Sequence, residues 1–137
     1  MIVTRNRYAH DLLDALGATH NDQNAWALIS WMQAEGGNAL WNPLNTTRDA
    51  PGAWDYNWVH VKNYPTYETG IAATVATLRQ QNFITIKNRL ISGARARRTL
   101  RAVENSDWGT GGLALAVLPF VKSDYWKYAN YEVAGSS

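Results

Sequence analysis

The sequence predicts a mainly α-helical domain broken once by an irregular, aromatic insert. Apolar residues recur at three- and four-residue spacing on both sides of positions 38–65. Between those limits Pro43, Pro51, several Asn and the aromatics Trp41, Trp54, Tyr56 and Trp58 follow no helical period. Glycines or Asn and Thr stand where the periodic stretches begin and end.

The first helix is expected over Asn6–Leu16, with Tyr8, Leu12, Leu13 and Leu16 on one face and Gly17 as its stop. A second starts near Thr19 or Asn21, turns Trp26, Ile29, Ser30 and Gln33 around its axis, and ends at Gly36-Gly37. In the insert, Val59 and Val61 flank His60 in an alternation that suits one strand of a small hairpin. Thr66 caps a third helix, with Glu68 in its first turn and Tyr67, Ile71, Val75 and Leu78 as its stripe. Shorter helices are expected over Ile84–Ile91 and Ala94–Val103. A turn-rich stretch around Trp108 follows, then helix on either side of Pro119. The last residues, from about Val133, read as a loose tail.

The chain has 137 residues, which suits a single domain over its whole length. It contains no cysteine, which excludes thiol catalysis, cysteine-ligated zinc and a disulfide framework. Thirteen Lys and Arg against eleven Asp and Glu leave a net charge of +2, too small by itself to make a nucleic-acid binder. Arg95, Arg97, Arg98 and Arg101 crowd one short helix but spread around it, as on a solvated face; a milder reading has them attract anionic polymers. No apolar run reaches the ~20 residues of a membrane span, and Met1–Asp14 lacks the pattern of a secretory leader. His10, His20 and His60 show no ligand spacing, so no metal is expected; nor is any cofactor.

Seven Trp and seven Tyr against two Phe are the compositional outlier. Their flat apolar bodies with polar edges suit core packing and equally suit stacking on sugars. The insert interleaves Trp41, Trp54, Tyr56, Trp58 and Tyr64 with Asn42, Asn45, Thr46, Thr47, Asn57 and Asn63, the pairing a glycan cleft needs. Each Trp can instead be core, Trp26 and Trp31 above all.

Glu35 stands in the last turn of the second helix, where the dipole disfavours a negative charge. Nearby Trp26, Trp31 and Trp41 would desolvate it further and raise its pKa, making a general acid for glycosidic cleavage. The plainer alternative is a solvated Glu at a frayed helix end. A second carboxylate would decide the mechanism. Asp49 and Asp55 bracket the Ala50-Pro51-Gly52 turn and are the leading candidates, with Glu68 and Asp107 behind them; all can equally be turn-forming or solvated.

Five strings stand in series: Glu35-Gly36-Gly37, Asn42-Pro43-Leu44-Asn45-Thr46-Thr47, the run from Asn57 to Pro65, Gly70-Ile71-Ala72-Ala73-Thr74, and Ser106-Asp107-Trp108-Gly109-Thr110-Gly111. Together they resemble a lysozyme-like family of phage and actinobacterial peptidoglycan-cleaving domains, related to soluble lytic transglycosylases and goose-type lysozymes. The resemblance covers roughly Gln23 to Gly112. It implies an α+β lysozyme-like fold with a small hairpin insert after the catalytic helix. It further implies cleavage of the β-1,4 bond between N-acetylmuramic acid and N-acetylglucosamine, with Glu35 as catalytic acid. The substrate-binding positions would be Trp41, Asn45, Thr46, Thr47, Trp54, Asn57, Trp58, Tyr64 and Trp108. The expected partner is the glycan strand of peptidoglycan, met by a monomer, with no nucleic acid and no membrane. The expected setting is the bacterial wall, reached by a phage endolysin or virion, by holin release, or as part of a larger polypeptide. Gly36 replaces the Ser usual in the transglycosylase branch, and its Gly-Leu-Met-Gln string is missing. A non-catalytic glycan-binding or structural module that keeps the cleft is the alternative.

Overall fold

The structure, a computed structural model, describes residues 1–137. It is mainly helical with one small antiparallel hairpin, the class the periodicity predicts. Helix α1 spans Arg5–Leu16 and α2 spans Asp22–Glu35; the hairpin pairs β1 (Trp54–Asp55) with β2 (Lys62–Asn63). After it come α3 (Tyr67–Leu78), α4 (Ile84–Ser92), α5 (Ala96–Glu104), α6 (Leu113–Ser123) and α7 (Tyr125–Ala129), with a 3₁₀ turn at Gln81–Phe83. No helix is long and apolar enough to cross a membrane.

Side chains set the helix starts. Thr4, Asn21 and Thr66 each accept from an N–H three residues on, and Gly17 and Gly36 close α1 and α2 in the left-handed region. Gln23 Oε1 accepts from Ala96 N–H at 2.7 Å, so α5 begins two residues later than its apolar pattern suggests. Helix α2 is the axle. Its residues from Ala27 to Met32 are all buried, because α6 covers one side while α1, α5 and α7 take others. Trp31 and Trp108 meet edge to face at 4.8 Å, and Phe83 packs on Trp108 at 5.2 Å. Trp26 is only half-buried, with Lys122 Nζ 5.2 Å above its ring.

Helix stands on either side of Pro119 as expected: α6 runs through it, with the proline on the exposed side, and breaks at Asp124. Two expectations need correction. Val59–Val61 is the hairpin loop and not a strand: His60 has φ 69°, and Val61 N–H bonds to Asn57 Oδ1, which folds the chain back before β2. The tail is not loose. Val133 N–H bonds to Val3 O at 2.8 Å, Trp41 N–H to Ala134 O at 2.9 Å, and Ser137 N–H to Met1 O at 3.0 Å. Gly135 lies so close to the Trp41 ring that a Cβ there would fall 2.5 Å from it, which a side chain could not tolerate.

Candidate functional site

The site is built where α2 ends. Glu35 is the last residue of that buried helix, so its backbone is as fixed as the core. Gly36 takes φ 55° to stop the helix, and Gly37 leaves room for the returning loop. A Cβ on Gly37 would stand 2.8 Å from both Asn45 Oδ1 and the Pro43 carbonyl. The double glycine is thus the steric licence for Asn42–Asn45 to fold back against the helix end.

Asn45 uses that space. With φ 58° it turns its amide inward, and Nδ2 donates to Glu35 Oε2 at 2.9 Å and to the Glu35 carbonyl at 3.3 Å. Asn42, wholly buried, holds the loop in that shape. Its Oδ1 accepts from Thr46 N–H at 3.0 Å, while Nδ2 donates to Thr46 O at 2.9 Å and Lys62 O at 2.8 Å. Thr46 in turn shares a hydrogen bond of 2.7 Å with Thr77 of α3. Gly70 of α3 admits the Trp41 backbone at a distance no side chain would permit.

The Glu35 carboxyl is held above its ordinary range. Burial is the main cause; the Asn45 amide and the Trp31 indole pull toward the charged form, and the nearby Glu104 charge pushes away from it. The Trp31 N–H meets no acceptor at good bonding geometry, so its pull is the weaker of the two. Glu104 shows the opposite behaviour. Desolvation raises it, but the Thr110 hydroxyl, Thr110 N–H and Gly112 N–H outweigh that and hold it below the usual carboxylate range. The two environments therefore push these carboxyls in opposite directions, Glu35 toward holding its proton and Glu104 toward releasing it. The Glu104 oxygens are engaged in bracing the Ser106–Gly111 turn, which seats Trp108.

Beside Asn45 opens a notch of about 190 Å³, lined among others by Thr46, Thr47, Gln80, Asp107 and Trp108. It is smaller than the ~300–1,000 Å³ of enclosed ligand pockets, so it suits part of a longer chain rather than a whole small molecule. Asp107 is exposed there and is the one carboxylate among the lining residues.

The structure thus gathers Asn45, Thr46, Thr47 and Trp108 along the notch, while Glu35 is bonded to Asn45 and is not itself among the lining residues. It does not gather the rest. Trp41 and Tyr64 are core residues: Trp41 packs edge-on to Tyr67 at 5.3 Å, and the Tyr64 hydroxyl donates to Arg48 O at 2.6 Å. Trp108 is also mostly buried, its indole N–H bonded to Leu44 O at 2.7 Å, with only an edge on the notch. Trp54 and Trp58 stand on the hairpin, half and 88% exposed. Asn57 spends its carbonyl inside the hairpin loop. Asp49 is exposed and accepts from Ala50 N–H. Asp55 is bonded to Lys62 and to His60, and those two bonds lower its pKa. Neither lines the notch.

Two residues went unforeseen, Glu104 and the clamping role of Asn42. An acid shortly before a glycine-rich turn full of unpaired N–H groups is the sequence signal for the first. Sequence spacing also failed to foresee that His10 and His20 stack, with Nδ1 atoms 2.8 Å apart and Asp14 Oδ1 2.7 Å from His20 Nε2. No group of three or more His, Asp or Glu side chains closes around a common point. Compared with family models, with curated proteins and with solved structures, the chain matches none.

Proposed function

We propose that this chain is a lysozyme-like enzyme that cuts the glycan strand of peptidoglycan between N-acetylmuramic acid and N-acetylglucosamine. The observation that carries the reading is Glu35: a carboxyl fixed at the end of a buried helix, biased toward its protonated form and bonded to Asn45, which in turn lines a polar notch. A proton held there can be delivered to the glycosidic oxygen as the bond breaks. Asn45 then steadies the carboxylate left behind. Thr47 and Gln80 offer hydrogen bonds to sugar hydroxyls and N-acetyl groups, and Trp54 and Trp58 offer stacking faces farther along the strand.

The second step divides two chemistries. In hydrolysis, Asp107 takes a proton from a water that attacks the anomeric carbon. In transglycosylation, the sugar's own 6-hydroxyl attacks and Glu35 takes its proton. Glu104 is left out of both, since its oxygens are already bonded. The action belongs at the bacterial wall, with delivery by a virion, by holin release, or as part of a larger polypeptide.

Replacing Glu35 with Gln preserves shape and removes the proton. The variant should fold normally yet release soluble fragments from purified walls at least ~100-fold more slowly. Release at the wild-type rate would overturn the assignment. Wall binding without fragment release by the wild-type chain would make it a glycan-binding module instead. Fragments lighter by one water would identify transglycosylation.

A further inference from the structure

The arginines of α5 take no part at Glu35. Arg97, Arg98 and Arg101 fall within about 100° of arc, on the side opposite the buried Ala96, Thr99, Leu100 and Val103. They share one exposed face and do not ring the helix. Where the start of α5 meets the end of α6 lies an open depression of about 520 Å³. Arg95 and Arg97 line it from α5 and its cap, Lys122 lines it from α6, and no Asp or Glu lines it at all.

These three cations are not engaged elsewhere. The cationic side chains that bond within the chain are those of Arg5, Arg7, Lys62 and Arg79. Lys122 stands over the Trp26 ring at 5.2 Å, a contact that steadies the amine without neutralising it. Asp22 and Asp124 adjoin Gln23 and Ser123 in sequence, yet neither faces the depression. Three unpaired positive charges in one hollow exceed the +2 of the whole chain, so the net charge understates the local field.

We propose that this depression binds a phosphodiester-linked polyol chain, which continues from it along the arginine face of α5. Each guanidinium fork can take two phosphate oxygens, and the Lys122 amine adds a point charge opposite. Arg97 and Arg101 stand one turn apart, a rise of about 6 Å, so successive phosphates of an extended polymer meet successive arginines. That repetition favours a chain over a single phosphate. The lining also says what joins the phosphates. No aromatic residue faces the hollow, so the bases of a nucleic acid would find no surface to stack on. Gln23 gives its Oε1 to Ala96 N–H, which leaves its amide N–H groups for polyol hydroxyls, and Leu118 and Pro119 suit the carbon links. None of this depends on the chemistry at Glu35.

The test uses the full chain and a short labelled oligomer of glycerol phosphate, with an oligodeoxynucleotide and a polyglutamate of equal charge as comparators. Anisotropy at rising salt measures binding, and backbone amide shifts locate it. The glycerol phosphate oligomer should bind more tightly than either comparator and shift Ala96, Arg97 and Lys122. With three contacts its affinity should fall about twentyfold between roughly 50 and 200 mM salt. Arg97→Ala and Lys122→Ala, both at exposed positions, should each flatten the log–log salt slope by about 0.7. Lys127→Ala, which removes the same charge from outside the hollow, should not. An equal loss in Lys127→Ala overturns the site in favour of diffuse charge. Tighter binding of the oligonucleotide makes the face a nucleic-acid surface, and equal binding of polyglutamate removes the selection for phosphate; either result overturns the proposal, as does no binding of the oligomer. All of these outcomes leave Glu35 to its own test, which is fragment release.

Discussion

The helical part of the molecule and its insert are held together by different chemistry. The helices are organised by buried apolar stripes and by caps, and their backbone is unstrained. The insert has almost no regular structure. All three non-glycine residues with positive φ in the chain, Trp41, Asn45 and His60, fall inside it. What holds them is a set of side-chain amides bonded to backbone: Asn42 to Thr46 and Lys62, Asn63 Oδ1 to Leu40 N–H at 2.8 Å, and Asn57 to Val61. The difference teaches where precision at Glu35 comes from. The core supplies a rigid helix end, and the insert supplies a strained loop that brings Asn45 to it.

The comparison breaks most sharply with two buried substitutions. Asn42→Ala removes three hydrogen bonds to backbone and should cost ~2–4 kcal/mol in urea unfolding. Leu28→Ala in α2 should cost a similar ~2–5 kcal/mol through its cavity. Their effects on the site should differ. At a temperature where both variants are folded, Leu28→Ala should keep its rate per folded molecule. Asn42→Ala should lose it, because the loop no longer presents Asn45 to Glu35. Equal retention by both would show that the amide clamp is not what shapes the site.

The same contrast explains what could be read from sequence. Caps at Thr4, Asn21 and Thr66 and stops at Gly17 and Gly36 are local signals, and the helices follow them closely. Glu35 before two glycines was legible because a helix end and its dipole are local too. The insert was not, since its residues are fixed by individual side-chain bonds and tertiary contacts that follow no period, from Asn42 to Lys62 and from Trp41 to Ala134. Trp41 and Tyr64 occupy the same kind of irregular sequence as Trp54 and Trp58, yet the first pair is core and the second exposed. Trp41 is covered by the close approach of Gly70 and Gly135, and Tyr64 is tied down by its bonds to Arg48 O and Leu40 O. The Asn residues suggest sugar contacts by type, but Asn42 and Asn63 are used up in bonding the loop to itself. The tail reads as loose because its polar, small residues carry no periodicity, while its bonds run to Met1 and Val3 at the other end of the chain.

A gentler change sharpens the division inside the insert itself. Trp58 is nearly free of contacts at the hairpin loop, so Trp58→Ala should leave stability within ~0.5 kcal/mol of wild type. If the ring stacks on a sugar, affinity for insoluble glycan should fall about fivefold, the equivalent of ~1 kcal/mol. Unchanged affinity, measured by pull-down against wall material, would assign the hairpin aromatics to some role other than glycan contact.

The smallest effect is thermodynamic and concerns the meeting of the two regions. Burial raises the Glu35 pKa above its ordinary 4.5, so the folded chain holds this proton more tightly than the unfolded chain does. The stabilisation that follows is complete below the ordinary value and is lost as the pH rises through the raised one. Glu35→Gln keeps the shape but carries no such proton. The variant should therefore melt higher than wild type at neutral pH, with the gap closing as the pH falls to 4. A gap that stays constant with pH would mean that the carboxyl is not selectively disfavoured when charged. Asn45→Ala tests the insert's share of the same balance. Its amide favours the charged form, so removing it leaves burial unopposed on that side and should move the closing of the gap to higher pH. A shift the other way would place the controlling interaction in the helical core, at Trp31, and not in the loop.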